Sequence, residues 1–179
     1  MADKKILLHI CCGPCAIYPL QRLRELGFTV TGFFYNHNIH PFKEYQRRLE
    51  TAQQFAIDEN LDLMVGGGYE LEEFLRNVAI NYRERCEYCY ASRLEKTVEY
   101  AERNSFEQFT TTLLVSPYQK HDLLVVKAQQ AAKAVGPIFF YEDFRSGWKE
   151  SVTICRERGY YRQPYCGCIY SEKERYCPK

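Results

Sequence analysis

The 179-residue chain lacks any apolar run approaching the roughly eighteen residues that a membrane span requires. Its start, Met1-Ala2-Asp3-Lys4-Lys5, lacks the long apolar stretch and small-residue cleavage site of a secretory signal, so a reducing cytoplasm is the expected compartment. An excess of either charge is missing too. The 24 Lys and Arg against 23 Asp and Glu leave +1, which neither demands nor excludes a nucleic-acid partner. Linkers, repeats and low-complexity segments are absent, which predicts a single domain over 1–179. A chain of this length buries roughly two thirds of its unfolded surface and needs no disulfides to hold together. The Gly66-Gly67-Gly68 run has no Lys-Ser/Thr after it and is weak evidence for phosphate binding.

What is abundant is cysteine, with nine in the chain. In a reducing compartment that load points to metal binding or catalysis rather than to structural bridges. Ile6-Leu7-Leu8-His9-Ile10 reads as a buried strand that runs into Cys11-Cys12-Gly13-Pro14-Cys15, where Gly13-Pro14 makes a turn. Ala16 to Leu26 follows as an amphipathic helix with Ile17, Leu20, Leu23 and Leu26 inward. The thiols therefore sit where a strand hands over to a helix, whose N-terminal dipole favours thiolate over thiol.

Further strands are expected at Phe28 to Tyr35, Leu61 to Val65, Phe106 to Val115 and Ile138 to Tyr141. Helices are expected at Pro41 to Asn60, Leu71 to Tyr82, Cys89 to Arg103, His121 to Val135 and Lys149 to Arg158, with a break around Arg83 to Tyr88 and an irregular tail at the end. Alternation of this kind implies an α/β fold with a mainly parallel sheet of about five strands flanked by helices. Ligands in such folds gather beyond the carboxyl ends of the strands, at the switch point of strand order, where Cys11, Cys12 and Cys15 would lie.

Cys86 and Cys89 form a C-x-x-C pair. Together with the first group they offer enough thiolates for a tetrahedral zinc or a 4Fe-4S cluster. A third group, Cys166-Gly167-Cys168, is C-x-C; bent at the glycine it can close into a strained, easily reduced bond suited to storing electrons, or it can add two metal ligands. Cys155 reads as core and Cys177 as an exposed thiol. His9, inside the first strand, reads as a satisfied core histidine, while His37 and His40 follow the second strand and could face the crevice. Cys12-Gly13-Pro14-Cys15 is also the tetrapeptide of thioredoxins, but Cys11 precedes it without the usual Trp and two further cysteine groups remain. Basic residues gather near the thiols: Lys43, Arg47 and Arg48; Arg83, Arg85, Arg93 and Lys96; Arg156, Arg158, Arg162, Lys173 and Arg175. Each cluster taken singly reads as a solvated helix face.

Laid end to end, His9 to Pro14, Phe34 to Pro41, Arg85 to Cys89, Thr111 to Pro117, Asp143-Phe144-Arg145 and Tyr161 to Cys168 resemble the cobalamin-independent epoxyqueuosine reductases, the QueH family, along essentially the whole chain. The resemblance implies a nucleotide alpha-hydrolase-like domain with cysteines in place of a phosphate-binding loop, so ATP use is not implied. It implies reduction of the epoxide of epoxyqueuosine to the alkene of queuosine at the wobble position of a tRNA anticodon. By the same carry-over Cys11, Cys12, Cys86 and Cys89 hold a 4Fe-4S cluster and Cys166 with Cys168 forms a redox-active disulfide. Cys15 stands where some members carry an Asp ligand to an additional iron, and a thiolate there makes that site softer. Asp143, Tyr165 and His40 are candidates for proton delivery. Tyr88, Tyr90, Tyr160, Tyr161 and Tyr165 are candidates for stacking an anticodon base. The implied partners are tRNA and an unidentified electron donor. The competing readings are a zinc-binding RNA-binding module and a thiol-disulfide oxidoreductase.

Overall fold

The computed structural model describes residues 4–177, so residues 1–3, read above for a leader, lie outside the described residues. Five strands, β1 (Lys4–His9), β2 (Phe28–Phe34), β3 (Leu63–Val65), β4 (Gln108–Thr111) and β5 (Ile138–Phe139), pair in the order β3-β2-β1-β4-β5, and every pairing is parallel. The helices are α1 (Gly13–Glu25), α2 (Phe42–Asp58), α3 (Leu71–Val78), α4 (Arg85–Arg103), α5 (His121–Val135), α6 (Trp148–Glu157) and α7 (Ile169–Tyr176). Right-handed crossovers place α1 and α2 on one face and α4 and α5 on the other. The packing follows suit, with α1 against α2 and α6, and α4 against α5.

The aliphatic run expected to be a buried strand is β1, and it lies at the centre of the sheet. Ile6, Leu7, Leu8, His9 and Ile10 are all fully buried, as expected of a strand covered on both faces. From β1 the chain winds outward through β2 and β3, then returns past β1 to β4. The order of strands thus reverses between β1 and β4, and Cys11 stands at the opening that this creates.

Three elements differ from the sequence expectation. The expected strand Phe106 to Val115 stops at Thr111, whose hydroxyl accepts the Leu113 N–H at 3.2 Å and starts a 3-10 turn over Thr112–Val115. The apolar residues of that turn stay buried but leave the sheet. Helix α3 ends at Val78 rather than Tyr82, and α4 begins at Arg85 after a 3-10 turn at Tyr82–Glu84, so the break falls earlier than expected and Cys86 is helical. The tail is not irregular, since α7 forms there with Cys168 at its N-cap, accepting the Ser171 N–H on its sulfur at 3.3 Å.

Candidate active site

The floor of the site is the end of β1. Cys12 has extended backbone and occupies the cap position of α1, where Pro14 suits the first turn because its missing N–H costs no helical bond. Gly13 is required for packing: a Cβ there would lie 2.8 Å from the Thr51 carbonyl oxygen of α2. With the turn pressed against α2, the sulfurs of Cys11, Cys12 and Cys15 all lie within 4.8 Å of one another. Thr112, from the turn after β4, accepts the Cys11 N–H at 3.0 Å and donates its hydroxyl to the Cys11 sulfur at 3.3 Å. Gln163 donates its amide to Cys12 at 2.9 Å and to Cys15 at 3.2 Å.

These contacts divide the charge unequally. Hydrogen bonds from Cys12 and Cys15 pull the Cys11 thiol well below its ordinary range, while burial raises Cys12, and donation to Cys11 and Cys12 raises Cys15. Three buried sulfurs this close together form a donor set suited to a soft metal ion. Beneath it His9 is a core residue, as expected. Its Nε2 donates to the Tyr35 carbonyl at 3.1 Å and its Nδ1 meets the Thr111 hydroxyl at 2.8 Å, while burial holds its pKa at about 3.

The second thiol pair stands on the first turns of α4, and Cys86 and Cys89 line a cavity of about 20 Å³ together with Asn38, Phe74, Cys166 and Cys168. Burial pushes Cys89 up to about 11. One turn further along, Arg93 joins this pair to the floor. It is only 3% exposed, and its guanidinium donates to Asn36 Oδ1 at 2.6 Å and to the Cys89 sulfur at 3.7 Å. Asn36 in turn donates to the Ile10 carbonyl at 2.9 Å, which anchors the group to the end of β1. Among the described residues Arg93 has no carboxylate within ion-pair distance; its charge acts on Cys89 and Cys11. A buried cation without an acid calls for thiolates as its counter-charge.

The third group is held by a buried ion pair. Arg48 meets Glu44 at 2.7 Å and spends its remaining donors on the carbonyls of Tyr165, at 2.9 Å, and Cys166, at 3.0 Å. Gly167 turns the chain at φ +130°, a conformation that disfavours any side chain, and its carbonyl accepts the His40 N–H at 2.8 Å. Tyr165 donates its hydroxyl to the His40 carbonyl. Cys168, at the N-cap of α7, is lowered to about 5 by a hydrogen bond from Cys166 with help from Ser171, and the same bond raises Cys166. All nine cysteines are free thiols in the structure. Cys166 opens onto a second, larger cavity of about 720 Å³, whose lining includes Cys11, Cys15, Gln163 and Tyr165.

A family model described as epoxyqueuosine reductase QueH matches residues 6–174. The chain belongs to that family. Relatives named epoxyqueuosine reductase QueH include one from Dehalococcoides mccartyi, 40% identical over 172 residues that cover 96% of this chain and 94% of the relative. Another, from Thermotoga maritima, is 34% identical over 180 residues, covering 95% and 91%. A third, from Streptococcus pyogenes, is 33% identical and covers 94% of this chain and 70% of its own. As in the sequence reading, none of the described helices is long and apolar enough to cross a membrane.

In this QueH-family chain the other candidates fall in different places. Asp143 caps the 3-10 turn Phe144–Gly147 and pairs with Arg145 at 2.6 Å, which holds its carboxyl at about 2; it is not among the residues lining the large cavity. His40 is buried against Phe74 and Tyr69 with both ring nitrogens unpartnered, and burial lowers it to about 4. His37 meets the Ser92 hydroxyl at 3.0 Å. Of the five tyrosines proposed for stacking, Tyr165 lines the large cavity, while Tyr90 is buried and bonded to Gln119. Cys155 is buried and Cys177 exposed, as expected. Sequence reasoning missed Gln163 and Thr112 on the thiols and Asn36 on Arg93. It also missed Tyr118 and Trp148 at the large cavity, since nothing in sequence spacing ties these distant positions to the cysteines.

Proposed function

We propose that this chain reduces epoxyqueuosine in a tRNA anticodon to queuosine, using an iron–sulfur centre and the Cys166–Cys168 pair. The observation that carries the reading is the opening of two thiol groups, Cys11/Cys15 and Cys166, onto one cavity at the switch point of the sheet. Deoxygenation of an epoxide needs two electrons and two protons. In this scheme two electrons leave the Cys166–Cys168 pair as its sulfurs join in a disulfide. One proton comes from the Cys166 thiol and the second from water, and the epoxide oxygen departs as water. An external electron donor returns the disulfide to two thiols.

The low pKa of Cys168 keeps its sulfur ionised at neutral pH, the state that attacks and is oxidised most readily. Arg48 fixes the loop that carries both sulfurs. Asp143, paired with Arg145 and outside the lining of the large cavity, caps its turn. The buried, acid-free Arg93 fits a thiolate-held centre, for which Cys11, Cys12, Cys86 and Cys89 are the ligands of choice and Cys15 a site for an additional iron. When bound, such a centre would supply one-electron redox chemistry, and an additional iron would supply Lewis acidity.

The test is iron and acid-labile sulfide per chain on anaerobically purified protein, alongside conversion of epoxyqueuosine in tRNA read by nucleoside mass spectrometry. About four of each, a visible band bleached by dithionite and conversion to queuosine are expected. A C166S/C168S variant should keep the iron and lose turnover. Stoichiometric zinc without iron, from cells well supplied with iron, would overturn the redox assignment in favour of a binding module.

A further inference from the structure

The large cavity has an aromatic wall that the proposed chemistry leaves unused. Tyr118 sits on a tight turn after the 3-10 segment, with its N–H donated to the Ser116 hydroxyl at 3.3 Å, and its side chain is 83% exposed. Its ring meets Trp148, the first residue of α6, edge to face at 5.8 Å and 82°. Among the described residues the Tyr118 hydroxyl has no hydrogen-bond partner, so neither burial nor a polar contact explains why a large ring stands there. Four charged residues share the lining. Arg48 is neutralised by Glu44, and Glu174 is paired with Arg85 at 2.6 Å. Arg162 and Arg175 remain, and among the described residues neither has a carboxylate within ion-pair distance. An exposed aromatic ledge beside two unpaired guanidinium groups has the composition of a site for an unstacked nucleotide: a π-face for the base and cations for the flanking phosphates.

We propose that Tyr118 and Trp148 form a base-stacking subsite for the reacting nucleotide, with Arg162 and Arg175 holding the phosphates on either side. This rests on the tRNA reading above and adds to it the residues that seat the RNA. Stacking at the cavity wall leaves the substituent of the base directed toward the floor, where Cys11, Cys15 and Cys166 open.

Trp148 is the chain's single tryptophan, so its fluorescence reports on this wall alone. The experiment titrates the full chain with an RNA anticodon stem-loop carrying guanosine at the wobble position, reading tryptophan quenching and the anisotropy of a labelled hairpin. Tyr118→Ala should weaken binding by about five- to a hundredfold, the range of one lost base stack, and Tyr118→Phe should stay within about twofold. Arg162→Gln with Arg175→Gln should flatten the salt dependence by roughly one to one and a half logarithmic units per decade. Tyr118 is exposed, so a normal circular dichroism spectrum is expected for its variants. If the parent binds the hairpin and Tyr118→Ala binds it equally well, the subsite is overturned and the tRNA reading stands. If the parent does not bind the hairpin at all, both fail.

Discussion

At the scale of single residues, the site depends on two buried guanidinium groups that answer different needs. Arg48 balances one buried carboxylate and uses its other donors to fix a loop. Removing it strands Glu44, itself buried, next to Tyr161. R48M is therefore expected to cost about 3–5 kcal/mol in urea denaturation, with a large part restored by E44Q in the same chain. Arg93 has no carboxylate partner among the described residues, and its guanidinium meets the Asn36 Oδ1 and the Cys89 sulfur. R93M is expected to leave the fold intact but to lower the iron retained per chain after purification, while R93K keeps more of it; equal iron in R93M and the parent would show that the buried charge is not the counter-ion of the thiolates. The cysteines themselves were legible in the sequence because thiol chemistry needs specific spacings. Their supports were not, because Thr112, Gln163 and Asn36 are ordinary polar residues delivered by loops far away along the chain.

At the scale of elements, the tightest of the glycine contacts is where α1 meets the turn before α6. Gly147 faces the Tyr18 ring so closely that a Cβ would lie 1.9 Å from it. G147A must therefore push α6 away from α1, at a cost of about 2 kcal/mol, which lowers the Tm of a chain this long by roughly 4–8 °C. Y18A should relieve most of the loss when combined with G147A. Elements defined by burial were the readable ones: β1 shows as an unbroken aliphatic run, and α1, α2 and α5 as helical periods. The end of β4 was not readable, since Thr111 to Val115 is as apolar and β-branched as a strand, and a single hydroxyl on Thr111 diverts it into a turn. Helix α7 escaped because none of its residues is buried, so it has no apolar period to detect. What forms it is the cap at Cys168, a role that cysteine seldom takes.

At the scale of the whole molecule, the histidines set the response to acid. Burial holds His9 and His37 at about 3 and His40 at about 4, against an ordinary 6.5. Between those values the unfolded chain takes up protons that the folded chain refuses, so stability falls as the pH drops from about 6.5 toward 4. The limiting slope is about 1.4 kcal/mol per pH unit for each histidine. The Tm should decline steadily from pH 7 to pH 5, and H40F should remove its share, since both ring nitrogens of His40 lack partners. A flat Tm over that range would mean that these rings are protonated in the folded state. One further property follows from the hydrogen bond between Gln163 and Cys12, which spans 151 positions of the chain. A ribosome adding about 5–20 residues each second takes on the order of ten seconds to cover that distance. Throughout that interval the first three sulfurs have left the tunnel without the wall that shields them. Nascent chains are thus the form of this protein most vulnerable to oxidants and stray metal ions, and slow translation should lengthen that exposure.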